Sequence, residues 1–172
     1  LVRGVQNKFR FTEGASTITQ QLLKNNVFTQ WTEEKTLMER VKRKIQEQYL
    51  ALLEAINFQE GVRSAAGKTA ALMGLGAVGW YMGEHLLDGG VSRLIVADIN
   101  PETVQRFIDE HPGYNITSCS VADVLYQEVD ILSPCAIGGI FDDASIAKLN
   151  CKYIFGSSNN GLKASSQEEE IR

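Results

Sequence analysis

The residues best suited to chemistry in this chain are three glycines, Gly74, Gly76 and Gly79, together with one acid, Asp98. The glycines belong to Gly74-Leu75-Gly76-Ala77-Val78-Gly79, which follows directly on the apolar run Thr69 to Met73 and opens a helical pattern reaching about Leu87. A strand that turns sharply into a helix leaves the first N–H groups of that helix unpaired at the positive end of its dipole, an arrangement that suits a pyrophosphate. In such a corner Gly74 permits the tight turn, Gly76 lets the backbone approach the phosphates, Ala77 and Val78 open the helix, and Gly79 lets it pack on the sheet. A G-x-G-x-x-G standing alone is a weak signal; a strand before it and a helix after it make it specific. Asp98 stands 24 positions after Gly74, near the roughly 20 expected of an acid that accepts hydrogen bonds from ribose hydroxyls. A carboxylate there repels a 2′-phosphate, and the adjoining Ile99 and Asn100 bring no guanidinium, so the cofactor indicated is NAD rather than NADP. Asp98 also suits a helix start beside Asn100, a role compatible with ribose binding.

Those residues need a sheet and helices to hold them. After Gly67, short runs rich in β-branched residues alternate with amphipathic stretches, the order expected of βαβ units. Strands are expected at Thr69 to Met73, Arg93 to Asp98, Asn115 to Thr117, Val129 to Leu132 and Tyr153 to Phe155. Gly89-Gly90 ends the first helix, while Asn100 caps a second that starts at Pro101 and buries Val104, Phe107 and Ile108; a short third follows Asp142 or Asp143. The predicted fold class is α/β: a doubly wound, mainly parallel Rossmann-type sheet preceded by an α-helical N-terminal segment.

That first segment has a different grammar. From Ser16 to about Ile56 the pattern is helical throughout, and Met38, Val41, Ile45, Tyr49, Leu52 and Ile56 fall at spacings of three and four on one apolar face. Arg40, Lys42, Arg43, Lys44, Glu47 and Gln48 are expected on a solvated opposite face. The expected organisation is a helical segment 1–57, a linker or helix continuation 58–66, and a dinucleotide-binding domain 67–172 whose tail SSQEEEIR is polar.

With 172 residues and 44% hydrophobic content the chain can bury a core of one-domain size. A formal charge of −4 argues against a nucleic-acid partner. Cys119, Cys135 and Cys151 are widely spread and lack the close pairing with His that zinc needs, so no metal is expected and the thiols fit a reducing compartment. No apolar run reaches the roughly 18–20 residues of a membrane span, and Leu1 to Arg10 do not form a signal peptide, which points to a cytoplasmic location.

Residues from about Gly67 to Leu162 resemble the cofactor domain of the leucine, phenylalanine and glutamate dehydrogenase family, through GKTAALMGLGAVG, LIVADIN, DILSPCAIGGIFDD and YIFGSSNNGL. The resemblance implies that the glycine loop holds pyrophosphate, that Asp98 holds ribose, that Pro134-Cys135-Ala136 line the nicotinamide side, and that Asn159 lies near nicotinamide and substrate. It also implies catalytic lysines and a substrate-orienting Asp in a domain ahead of the Rossmann half. None of the lysines here, Lys68 and Lys148 included, sits in the glycine-rich context required, and the family's later Asn-Ala-Gly-Gly stretch is not found, so no catalytic residue is nominated. The expected behaviour is NAD binding without turnover by this chain alone. The alternative is oxidative deamination, with an amino-acid or 2-oxo-acid substrate, completed by a partner chain; an oligomer is compatible with either.

A second, unrelated resemblance covers about residues 9–54. EGASTITQQLLKN and RKIQEQYLALLE resemble two adjacent motifs of the peptidoglycan glycosyltransferase domain of penicillin-binding proteins. It implies that Ser16, Thr17, Gln20, Gln21 and Lys24 face a glycan diphosphate, with Arg43, Lys44 and Glu47 on the charged side. The earlier motif, which carries that family's first catalytic Glu, is not found, so lipid-linked glycan binding is the further alternative and a helical cap without chemistry the plainer one. Two family pieces meeting near Ala55 indicate a chimera.

Overall fold

The computed structural model describes residues 37–136 and 140–157. Five parallel strands lie in the order β3-β2-β1-β4-β5, with β1 at Thr69–Met73, β2 at Arg93–Ala97, β3 at Ile116–Ser118, β4 at Ile131–Pro134 and β5 at Tyr153–Ile154. The order reverses between β1 and β4, which opens the crevice at the carboxyl ends of these strands where ligands of such sheets bind. The sheet is of the doubly wound Rossmann type.

Alternation along the strands builds two cores. Ala70, Leu72, Leu94, Val96 and Ile131 face one layer, while Ala71, Met73, Ile95, Ala97 and Leu132 face the other. The first layer is covered by α1 (Leu37–Glu60), α2 (Ala77–Asp88) and α3 (Pro101–Glu110); Phe107, 0% exposed, fills the centre between α2 and α3. Gly83 is bare because a Cβ there would sit 2.6 Å from Phe107 Cζ. Full burial of such a side chain contributes about 1.5–3 kcal/mol. The second layer is thinner: a 3₁₀ turn at Val124–Tyr126 and the single-turn helix α4 (Asp143–Ile146), with Leu125, Val129, Phe141, Leu149 and Cys151 closing it.

Local chemistry explains the boundaries. Asn100 accepts from the Glu102 N–H and precedes Pro101 at the start of α3. Asp142 caps α4 through a reciprocal exchange with Ser145. Gly90, at φ 81°, is the left-handed residue after α2. Gly89 beside it must be bare for another reason, since a Cβ would lie 1.8 Å from Tyr49 Oη.

Helix α1 continues past Ala55 to Glu60, where Gly61 turns left-handed at φ 71°. Ile45, Leu52 and Ile56 are buried against the sheet layer, as the spacing predicts. Lys42 lies 4.7 Å over the Tyr81 ring and Tyr49 stacks on His85 at 5.5 Å, so α1 and α2 run in the same sense. At the amino ends of the strands Glu60 meets Lys68 at 2.5 Å and accepts from Tyr153 Oη at 2.8 Å, fastening α1 to β1 and β5.

The polar face of α1 departs from expectation. Glu47 and Gln48 are 2% and 9% exposed rather than solvated. A buried carboxylate is tolerated when cations neutralise it, and Arg43 Nη1 at 2.6 Å and Lys44 Nζ at 3.7 Å do so from the preceding turn. Two strands are offset as well: β3 begins one residue later than expected and β4 two residues later, ending on Pro134. The crossover from β3 to β4 uses the 3₁₀ turn in place of a helix.

Candidate nucleotide-binding site

The glycine loop sits at the carboxyl end of β1, pinned from both neighbouring strands. Gly74 N–H donates to Ala97 O at 2.7 Å, and Cys135 N–H donates to Met73 O at 2.8 Å. Gly74 has φ 93°, and a Cβ there would meet Ala136 N at 3.0 Å, so both conformation and space require glycine. At Gly79 a Cβ would lie 1.8 Å from Gly74 O, the close helix-to-loop approach that the third glycine allows.

Gly76 is different in kind. It is the exposed N-cap of α2, in extended conformation, and a Cβ built on it meets nothing within 4 Å among the described residues. Its side of the loop is therefore open among the described residues. The N–H groups of Gly76, Ala77 and Val78 have no protein acceptor among the described residues, and no side chain caps them. These donors at the positive end of a 12-residue helix fit a pyrophosphate.

Asp98 flanks the opening, half-buried at the end of β2. Its Oδ2 accepts from Leu75 N–H at 2.6 Å and its Oδ1 from Asn100 N–H at 2.8 Å. Ile99 next to it is 90% exposed. On the other flank Pro134 ends β4 and Cys135 and Ala136 follow it, and Cys135 Cβ would stand 3.3 Å from a Cβ on Gly79. The structure thus brings Gly74, Gly76, Ala77, Val78, Gly79, Asp98, Ile99 and Pro134 to Ala136 to one edge of the sheet. Asn159 lies outside the described residues, as do Ser16, Thr17, Gln20, Gln21 and Lys24. Arg43, Lys44 and Glu47 form a set of their own on α1.

Three features of this edge escape a reading by motif. The Asp98 to Leu75 bond joins residues 23 positions apart. The backbone after β5 presses on β4, where a Cβ on Gly156 would come 2.1 Å from Pro134 O. Cys135 Sγ is 3.6 Å from both Ser133 Oγ and Ser157 Oγ; the block YIFGSSNNGL is the signal that could have pointed to Ser157. Burial, with Asp123 nearby, raises the Cys119 thiol above its ordinary range, and burial pushes the Cys151 thiol up to about 12, so both stay protonated at neutral pH. Among the described residues no cluster could hold a metal ion, and no helix is long and apolar enough to cross a membrane.

A family model described as Transglycosylase matches residues 1–59. The chain is 40% identical over 103 residues to the leucine dehydrogenase of Geobacillus stearothermophilus, a match that covers 60% of this chain and 27% of that protein. It is 30% identical over 131 residues to the valine dehydrogenase of Streptomyces virginiae, covering 70% of this chain and 36% of the relative. Among solved structures, L-tryptophan dehydrogenase from Nostoc punctiforme superposes with a TM-score of 0.67 at 25% identity, over 76% of this chain and 40% of that one. Most of this chain is therefore similar in sequence and fold to amino-acid dehydrogenases, and it spans only about a third of the length of the curated relatives it matches.

Proposed function

We propose that residues 67–172 bind NAD, with the pyrophosphate on the N–H groups of Gly76, Ala77 and Val78, the adenosine ribose on Asp98 beside Ile99, and the nicotinamide toward Pro134, Cys135 and Ala136. The observation that carries this reading is the contrast among the glycines: Gly74 is closed in by Ala136 and Gly79 by Gly74 O, whereas Gly76 meets nothing among the described residues and lies beside donors that have no acceptor among them. The relatives named valine and leucine dehydrogenase support a nicotinamide cofactor and an amino-acid or 2-oxo-acid substrate. NAD when bound supplies a hydride acceptor; the residues here bind and orient it.

Among the described residues, no side chain at this edge is assigned to take a proton from an amino-acid substrate. The cysteine thiols with shifted values are raised, not lowered, and Lys68 is committed to Glu60 at the opposite end of β1. General acid–base groups contribute about 10²-fold to 10⁴-fold each. These 172 residues are therefore proposed to bind NAD without turnover, a partner chain or further domain supplying the proton-transfer groups. The segment up to Glu60, with its Transglycosylase match, is proposed to be a fused fragment of structural use, because the described part of it buries its apolar face on α2.

Calorimetric titration with NAD, NADP and ADP-ribose tests the reading. NAD and ADP-ribose should bind at one site, and NADP should bind more weakly. Equal heats for NAD and NADP would remove Asp98 from the ribose role, and no heat with any of them would remove the function.

A further inference from the structure

We propose that Asp98 is a positioning residue for the phosphate loop as well as the acceptor for ribose, so that one carboxylate couples the two halves of the nucleotide site. The inference rests on the NAD reading and extends it to the phosphate contacts.

Leu75 stands between Gly74 and Gly76, the two most permissive residues of the loop. Its side chain is buried in the core under α2, and its N–H is held at 2.6 Å by Asp98 Oδ2. The peptide joining Gly74 to Leu75 is thus fixed from both sides, and with it the direction in which the next amides, Gly76, Ala77 and Val78, point. The other oxygen, Oδ1, holds Asn100 N–H at 2.8 Å, which anchors the carboxylate to the start of α3. A carboxylate has about four lone-pair sites; two are used by these backbone donors, and two remain for a ribose diol. Leu75 N–H is therefore not a phosphate donor. It is the handle by which β2 sets the loop.

A ligand without the ribose hydroxyls separates the two roles. Binding of 2′,3′-dideoxyadenosine 5′-diphosphate should weaken roughly tenfold in Asp98→Ser, the loss that follows when a charge-assisted bond ordering the donors is removed. A residue acting only on ribose would leave this ligand's affinity unchanged, and an anion acting only through its charge would make binding tighter once removed. Either result overturns the proposal. A ligand-free measurement accompanies it: amide hydrogen exchange at Leu75 should accelerate at least tenfold in Asp98→Ser, while Leu94 and Val96 in β2 keep their protection. General loosening of the fold would move all three, and an unchanged Leu75 would refute the clamp. If the unaltered chain binds neither NAD nor the dideoxy compound, the nucleotide reading falls, while exchange at Leu75 still decides whether Asp98 sets the loop.

Discussion

Replacing Gly76 by valine should abolish NAD binding while leaving the fold in place. The backbone at Gly76 has φ −63° and ψ −175°, an extended conformation open to any residue, and a Cβ meets nothing within 4 Å among the described residues. The cost to the free protein is therefore confined to a poorer helix cap, at most about 1 kcal/mol, or a few degrees in Tm for a chain of this size. The cost to the complex is larger, because the isopropyl group fills the space beside the donors of Gly76, Ala77 and Val78. Loss of even two charge-assisted hydrogen bonds at about 1.5 kcal/mol each weakens binding about 100-fold or more. Gly79→Ala is the contrasting control: its Cβ would lie 1.8 Å from Gly74 O, so it should damage the loop and the fold together. Circular dichroism and thermal melting read the fold, and calorimetry with NAD reads the site. A Gly76→Val protein that melts normally and binds NAD as tightly as the unaltered chain would refute the assignment of this loop to phosphate.

Other substitutions test neighbouring parts of the account. Asp98→Ser should shrink the preference for NAD over NADP, measured as the ratio of the two dissociation constants; a ratio near one in the unaltered chain would contradict the ribose assignment. Gly89→Ala should cost about 1–3 kcal/mol by overpacking, since its Cβ falls 1.8 Å from Tyr49 Oη, and adding Tyr49→Phe should recover part of the lost Tm; simple additivity would mean that α1 does not press on Gly89. Burial alone would raise the Asp130 carboxyl, but hydrogen bonds from Lys152 and Thr69 outweigh it and hold it below its ordinary value of 3.8. A depressed carboxyl stabilises the fold above its unfolded value and loses that contribution as pH falls through the folded one. The Tm advantage over Asp130→Asn should therefore shrink between neutral pH and about pH 3, and a constant gap would exclude the linkage. With leucine, phenylalanine, valine or glutamate plus NAD, the isolated chain should show no rise in reduced-nicotinamide absorbance; a steady rise abolished by Gly76→Val would show that these residues complete an active site.

Much of this architecture was legible because it is written in local chemistry. The run Thr69 to Met73 before a G-x-G-x-x-G, and Asn100-Pro101 after RLIVAD, mark a strand, a corner and a capped helix without knowledge of the rest of the chain. β4 was harder to bound because Pro134 lacks an N–H and discourages a strand reading; it is accommodated as the last residue of β4, opposite Met73, whose carbonyl is taken instead by Cys135 N–H. The 3₁₀ turn at Val124–Tyr126 carries too short a period to announce itself. Burial of Glu47 and Gln48 was illegible for a different reason, since helical spacing assigns a residue to a face but not what packs against that face. The bond from Asp98 to Leu75 is tertiary, made where the carboxyl ends of the neighbouring strands β1 and β2 meet, and no spacing rule encodes it.

The most direct test of the central claim is to follow the backbone amide signals of the ¹⁵N-labelled chain during titration with NAD. The largest shifts should fall on Gly76, Ala77 and Val78, with smaller ones at Asp98, Ile99, Cys135 and Ala136, while Arg43, Lys44 and Glu47 on α1 stay unmoved. Shifts centred on α1, or none at the glycine loop at saturating NAD, would contradict the account.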